Sequence, residues 1–60
     1  MMTENHIRLR ALWEEYLEAN DKFENKGIKA QAVKARKVLM EIGKLTKARR
    51  AEIQEKKNAM

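Results

Sequence analysis

One interruption in sixty residues constrains this chain more than any other feature. The sequence has no proline and two glycines. Asn25-Lys26-Gly27 is the only breaker with helical pattern on both sides. Gly27 can take positive φ at a helix C-terminus, and Asn25 tolerates it. A helix stop followed at once by a new helical pattern is an αα-hairpin.

The first segment is expected to be helical from about Glu4 to about Asn25. Thr3 is the expected N-cap, with its hydroxyl accepting from a free first-turn N–H. Leu9, Leu12, Tyr16, Ala19 and Phe23 recur at 3–4 residue spacing, and Trp13 and Leu17 widen that stripe. Such spacing has helical period and no strand alternation. The three aromatics lie on this stripe and are expected to pack in the core. The second segment is expected to be helical from about Ile28 to about Lys57, with Asn58-Ala59-Met60 frayed. At 1.5 Å per residue that helix is about 45 Å long. The fold class is therefore all-α, a two-helix antiparallel hairpin forming one domain over residues 1–60.

So short a chain buries little apolar surface, and it has no cysteine to staple it. Regular helix packing and self-association are the remaining routes to stability. A homodimer or higher homo-oligomer, four-helix-bundle-like, is expected. Gly43 costs about 1 kcal/mol against alanine in mid-helix. It reads either as tolerated or as a point where another backbone comes close.

The charges are sorted along the chain. Residues 1–25 hold three bases against six acids, and residues 26–60 hold eleven bases against three acids, within an overall net charge of +5. They are sorted again around the second helix. At about 100° per residue, Ile28, Ala32, Ala35, Val38, Leu39, Ile42, Leu45 and Ile53 share one arc. Lys29, Arg36, Lys37, Lys44, Lys47 and Arg50 share the arc roughly opposite. Glu41 and Glu52 fall outside that basic arc, and Glu55 sits at its edge. A face that serves only solubility mixes signs and gains i,i+4 pairs. A face from which acids are excluded points to phosphate, hence to nucleic acid. Contacts are expected at backbone oxygens, because no Asn, Gln and Arg cluster stands at a helix N-terminus to read base edges. Lys26 and Lys34 are peripheral. Val33 and Met40 project from the centre of the basic arc. The residues leave open whether these two pack on a second subunit, with the bases flanking that contact.

Little else suggests chemistry. His6 is the only histidine and has no second ligand at metal spacing. Glu14, Glu15 and Glu18 form an exposed acidic cluster with nothing to desolvate it. There is no glycine-rich phosphate loop. The expectation is a non-enzyme with no catalytic residue, cofactor, metal or small-molecule substrate. No apolar run approaches the ~18 residues of a membrane span. Met1-Met2-Thr3-Glu4-Asn5-His6 lacks the basic and apolar regions of a signal peptide. A cytoplasmic, nucleoid-associated location follows as an expectation.

The segment from Gly27-Ile28-Lys29-Ala30 through Ala35-Arg36-Lys37 to Lys44-Leu45-Thr46-Lys47-Ala48-Arg49-Arg50 resembles the chlamydial-type linker-histone-like nucleoid proteins and their short bacterial and phage relatives. Those proteins carry a Gly-Asn-Lys-Ala-Ala start, an Arg-Ala-Arg-Lys core and a Leu-Glu-Lys…Lys…Arg-Lys finish. Gly27, Lys29, Ala30, Ala35, Arg36, Lys37, Glu41, Lys44, Lys47 and Arg50 match at ungapped spacing. Ile28 stands in place of the family's asparagine, and Gly43 in place of a usual glutamate. The long Lys/Ala/Pro-rich tail of the chlamydial members is not present, so plain DNA binding is expected rather than strong compaction. The resemblance implies a non-enzymatic, histone-like protein that organises double-stranded DNA, with RNA an open competitor. The residues by themselves also leave open a helical module that docks an acidic protein. A basic amphipathic helix on anionic membrane is a weaker reading, because the apolar face of the second helix lacks aromatics.

Overall fold

A computed structural model describes residues 3–60 of the chain. It is an antiparallel hairpin of two α-helices, α1 from Glu4 to Lys26 and α2 from Lys29 to Ala59. The N-terminal pair Met1-Met2, part of the signal-peptide reading, lies outside the described residues.

Local chemistry sets each boundary. Thr3 has extended φ/ψ of −74° and 158°, and its side chain accepts from the His6 N–H. That is N-cap geometry, in which a hydroxyl satisfies one of the orphan first-turn donors. At the other end Gly27 adopts φ 68° and ψ 26°. There the Gly27 N–H reaches the Phe23 carbonyl at 3.1 Å, and the Ile28 N–H reaches that of Lys22 at 3.3 Å. A left-handed glycine thus closes the last carbonyls of α1 and turns the chain. Asn25 belongs to the last turn of α1, where its amide donates to the Asp21 carboxylate. The turn itself is only Gly27 and Ile28.

Ile28 precedes α2 with no side chain to cap it. An asparagine there could have supplied that cap. At its far end α2 holds its helical form through Ala59, two residues beyond Lys57, and Gln54 donates to Asn58 at 3.1 Å. A one-turn side-chain bond of this kind supports the final turn that was expected to fray.

The helices pack along one seam. Leu12, Ala19, Ala35 and Val38 are buried, and Ala19 is fully so. Two alanines among four buried residues leave little bulk in the seam, which favours close helix approach. The molecule is long and thin, 48 × 18 × 13 Å. Its 31-residue α2 accounts for the long axis, at about 46 Å for 1.5 Å per residue.

The apolar stripe of α1 is wider than one neighbouring helix can cover. Trp13 is 50% exposed and Leu17 47% exposed, while Tyr16 is half-buried. The expectation that all three aromatics are core residues is therefore corrected. Trp13 leans on Tyr16, with ring centroids 5.4 Å apart, and turns its other side outward. Leu39 of α2 is 44% exposed as well. A two-helix layer has two open flanks, and residues more than about 60° from the seam fall into one of them.

Gly43 has no neighbour within 4 Å of the place a Cβ would occupy. Within the hairpin, then, no backbone approaches it.

Candidate nucleic-acid interface

The face of α2 turned away from α1 is built by elimination. The seam takes Ala35, Val38, Ile42 and Leu45. What remains at the helical period on the opposite side is Lys29, Arg36, Lys37, Lys44, Lys47 and Arg50, and all six are exposed. Lys29 to Arg50 spans 21 residue steps, about 31 Å of helix. That is roughly one turn of B-form DNA, at 3.4 Å per base pair.

Two of the three acids of α2, Glu41 and Glu52, are engaged elsewhere. Glu41 reaches across to Arg8 of α1, with Oε2 and the guanidinium nitrogen 3.6 Å apart. Glu52 accepts from the Thr3 hydroxyl at 3.0 Å, from the Asn5 amide at 3.0 Å and from Arg49 at 3.2 Å. Arg49 stands on the seam side of α2, half-buried beside Glu52, and is not part of the basic face. Among the described residues, the three ion pairs are Arg8–Glu41, Lys22–Glu18 and Arg49–Glu52. None involves the six cations, so their charge is uncompensated by direct pairing.

The α1 side has the opposite character. Lys22 donates to Glu18 at 3.1 Å. That hydrogen bond, the charge of Lys22 and the charge of Lys34 together hold the Glu18 carboxyl below its ordinary value. Lys34 therefore acts on the acidic helix and is apart from the six.

Between the cations runs an apolar ridge. Val33 is 54% exposed and Met40 63% exposed, and they line a shallow cleft with Arg36 and Lys37. A second apolar surface, which the sequence did not single out, lies on the flank of the hairpin. There His6, Leu9, Arg10, Trp13, Ile42 and Thr46 line an open cleft. The signal for it was present in the width of the α1 stripe, since Trp13 and Leu17 extend it beyond what one partner helix buries.

Among the described residues no group of three or more His, Asp or Glu side chains could hold a metal ion, and no helix is long and apolar enough to cross a membrane.

The family model of the histone H1-like protein Hc1 matches residues 3–59. The chain belongs to this family. The match extends the resemblance carried by Gly27–Arg50 to both helices. Neither a curated protein nor a solved structure matches the chain. As a member of the Hc1 family it is a histone-like DNA-binding protein in general character, and the family is non-enzymatic. In this Hc1-type hairpin the exposed face of α2 carries six cations without ion pairs among the described residues.

Proposed function

We propose that the chain binds duplex DNA without regard to sequence and serves as a nucleoid-associated protein. Lys29, Arg36, Lys37, Lys44, Lys47 and Arg50 meet phosphate oxygens from the exposed face of α2. The observation that carries this reading is the segregation of charge around α2. Six exposed cations are free of ion pairs among the described residues, while Glu41 and Glu52 are turned to α1. Such a face gains by releasing counterions condensed on DNA, a gain that depends on charge and not on base sequence.

The hairpin associates with a second copy in the same reading. Leu9, Trp13 and Ile42 form an open apolar flank, and covering it would bury the large side chains one helix pair leaves out. A dimer closed on this flank leaves the basic face of each α2 free, and two such faces could engage one duplex or bridge two.

The deciding experiment is a fluorescence titration of a short random-sequence duplex at several salt concentrations. With five of the six cations on phosphate, log Kobs is expected to fall with log salt at a slope of about −4 to −5. Affinity should change by no more than about tenfold between duplexes of different sequence, far less than a base-reading protein shows. Absence of binding at low salt would overturn the reading and turn attention to acidic protein partners.

A further inference from the structure

The centre of the basic face is apolar, and phosphate contact alone gives Val33 and Met40 nothing to do. They stand seven residues apart, two helical turns, and so lie one above the other on the outermost line of α2. Lys29, Arg36, Lys47 and Arg50 fall on one side of that line, and Lys37 and Lys44 fall on the other. Val33 and Met40 are among the more exposed apolar side chains of α2, at 54% and 63%. Between them and the cations lies the shallow cleft that Arg36 and Lys37 also line.

A second copy of the chain is a poor occupant for this ridge. A two-fold contact would set the same patch against itself, with cations against cations. The occupant must tolerate six positive charges around a small apolar strip. Duplex DNA in its major groove does so. The groove is about 12 Å wide, and a helix with its side chains is about 10–12 Å across. Phosphates line both rims, and the C5-methyl groups of thymine stand on the floor.

We infer that α2 enters the major groove ridge first, with Val33 and Met40 against thymine methyl groups and the two rows of cations on the phosphates of the two rims. The inference rests on the DNA-binding reading and adds to it a groove and a base preference. The two side chains are about 10.5 Å apart along the helix, or about three base-pair steps. The thymine methyl is the one apolar group of the groove floor, so it is felt without a hydrogen-bonding side chain. The preference it gives is shallow, consistent with binding that is otherwise indifferent to sequence. A-form RNA lacks both the methyl and an accessible major groove.

The test uses the whole chain and three duplexes of one alternating sequence: A·T DNA, the same DNA with every thymine replaced by uracil, and the corresponding RNA. Removing the methyl should weaken binding about fourfold where one side chain rests on a methyl, and about tenfold or somewhat more where both do. The salt slope should be the same on both DNAs, because the phosphates are unchanged. The double variant Val33→Ala, Met40→Ala should bind thymine and uracil DNA equally, at the affinity the parent shows for uracil DNA. Both positions are exposed and alanine favours helix, so circular dichroism should show the fold intact. Duplex RNA should bind more weakly than either DNA. Equal affinity of the parent for thymine and uracil DNA would overturn the groove contact while leaving phosphate binding standing. Retained discrimination in the double variant, or RNA binding equal to thymine DNA, would overturn it too. No binding to any duplex at low salt would remove the DNA-binding reading itself.

Discussion

Thr3 and Glu52 are separated by 49 positions in sequence and joined by a 3.0 Å hydrogen bond from hydroxyl to carboxylate. The same hydroxyl accepts from the His6 N–H at 3.3 Å, so the N-cap of α1 also fixes the level at which α2 passes it. Glu52 is the junction, since Asn5 and Arg49 also donate to it. Its side chain keeps 31% of its exposure, so each bond is partly shared with water. Replacing Glu52 with Ala should cost about 1–2 kcal/mol, as a part-buried charged acceptor with several donors. For a domain of this size that is a fall in Tm of about 4–16 °C. Thermal melting by circular dichroism reads it, and a Tm unchanged within error would show that the clamp carries no stability.

The helices and the turn were legible because each rests on a local signal. Gly27 is a stop, Thr3 is a cap, and the spacing of Leu12, Ala19, Ala35 and Val38 has one period. The clamp at Glu52 was not legible. It depends on the register of two helices, and nothing local to Glu52 names Thr3 as its partner. The exposure of Trp13 was missed for a related reason. Periodicity says which residues share a face, but the breadth a neighbour covers depends on how many neighbours there are. The exposure of the six cations was legible because an exposed face is what a helix leaves when its seam is known. That Arg49 stands off this face could be anticipated from its angle around α2, though its partner Glu52 could not.

The two glycines should respond in opposite directions. Gly27 sits at φ 68°, where a Cβ is strained whatever the space around it. Gly27→Ala should lose about 1 kcal/mol. Gly43 is helical with open space where a Cβ would stand, so Gly43→Ala should gain up to about 1 kcal/mol. Urea denaturation of the two variants beside the parent measures both. A loss at Gly43 would show that something outside the hairpin, a second copy, comes close there.

The seam is expected to be intolerant of bulk. Ala19 has no exposed surface, and Ala35 retains only 8% of its own. Ala19→Leu adds three carbons where the helices meet and should cost about 1–3 kcal/mol by forcing them apart. The same change at Ala11, which is exposed on α1, should be close to neutral. If Ala19→Leu were as stable as the parent, the close packing at the middle of the seam would be wrong.

The open flank makes a prediction about mass. Trp13 is half exposed beside Leu9 and Ile42 and can be changed without emptying the seam. Trp13→Glu places a charge on the flank and should shift sedimentation toward the monomer while leaving the helical spectrum of the hairpin in place. If the parent sediments as a monomer at every concentration, or the variant stays associated, the flank is not the contact between copies.

The basic face is best tested with charge held constant. Arg36→Glu, Lys37→Glu and Lys26→Glu, Lys34→Glu each lower the formal net charge from +5 to +1. The first pair lies at the middle of the exposed face of α2. The second lies at the turn and toward the acidic helix, where Lys34 acts on Glu18. If binding followed net charge alone, the two double variants would weaken equally. The proposed face predicts otherwise. Arg36→Glu, Lys37→Glu removes two cations from the phosphates and sets two repulsive carboxylates against the duplex. The salt slope should become shallower by about 2, and affinity at low salt should fall by a hundredfold or more, on the order of 3 kcal/mol. Lys26→Glu, Lys34→Glu should keep the parent slope and lose only the longer-range attraction that salt screens beyond about 10 Å. Both variants should melt as folded helices, since all four side chains are exposed. Equal losses in the two would mean that DNA meets the whole basic half of the chain and not one face of α2.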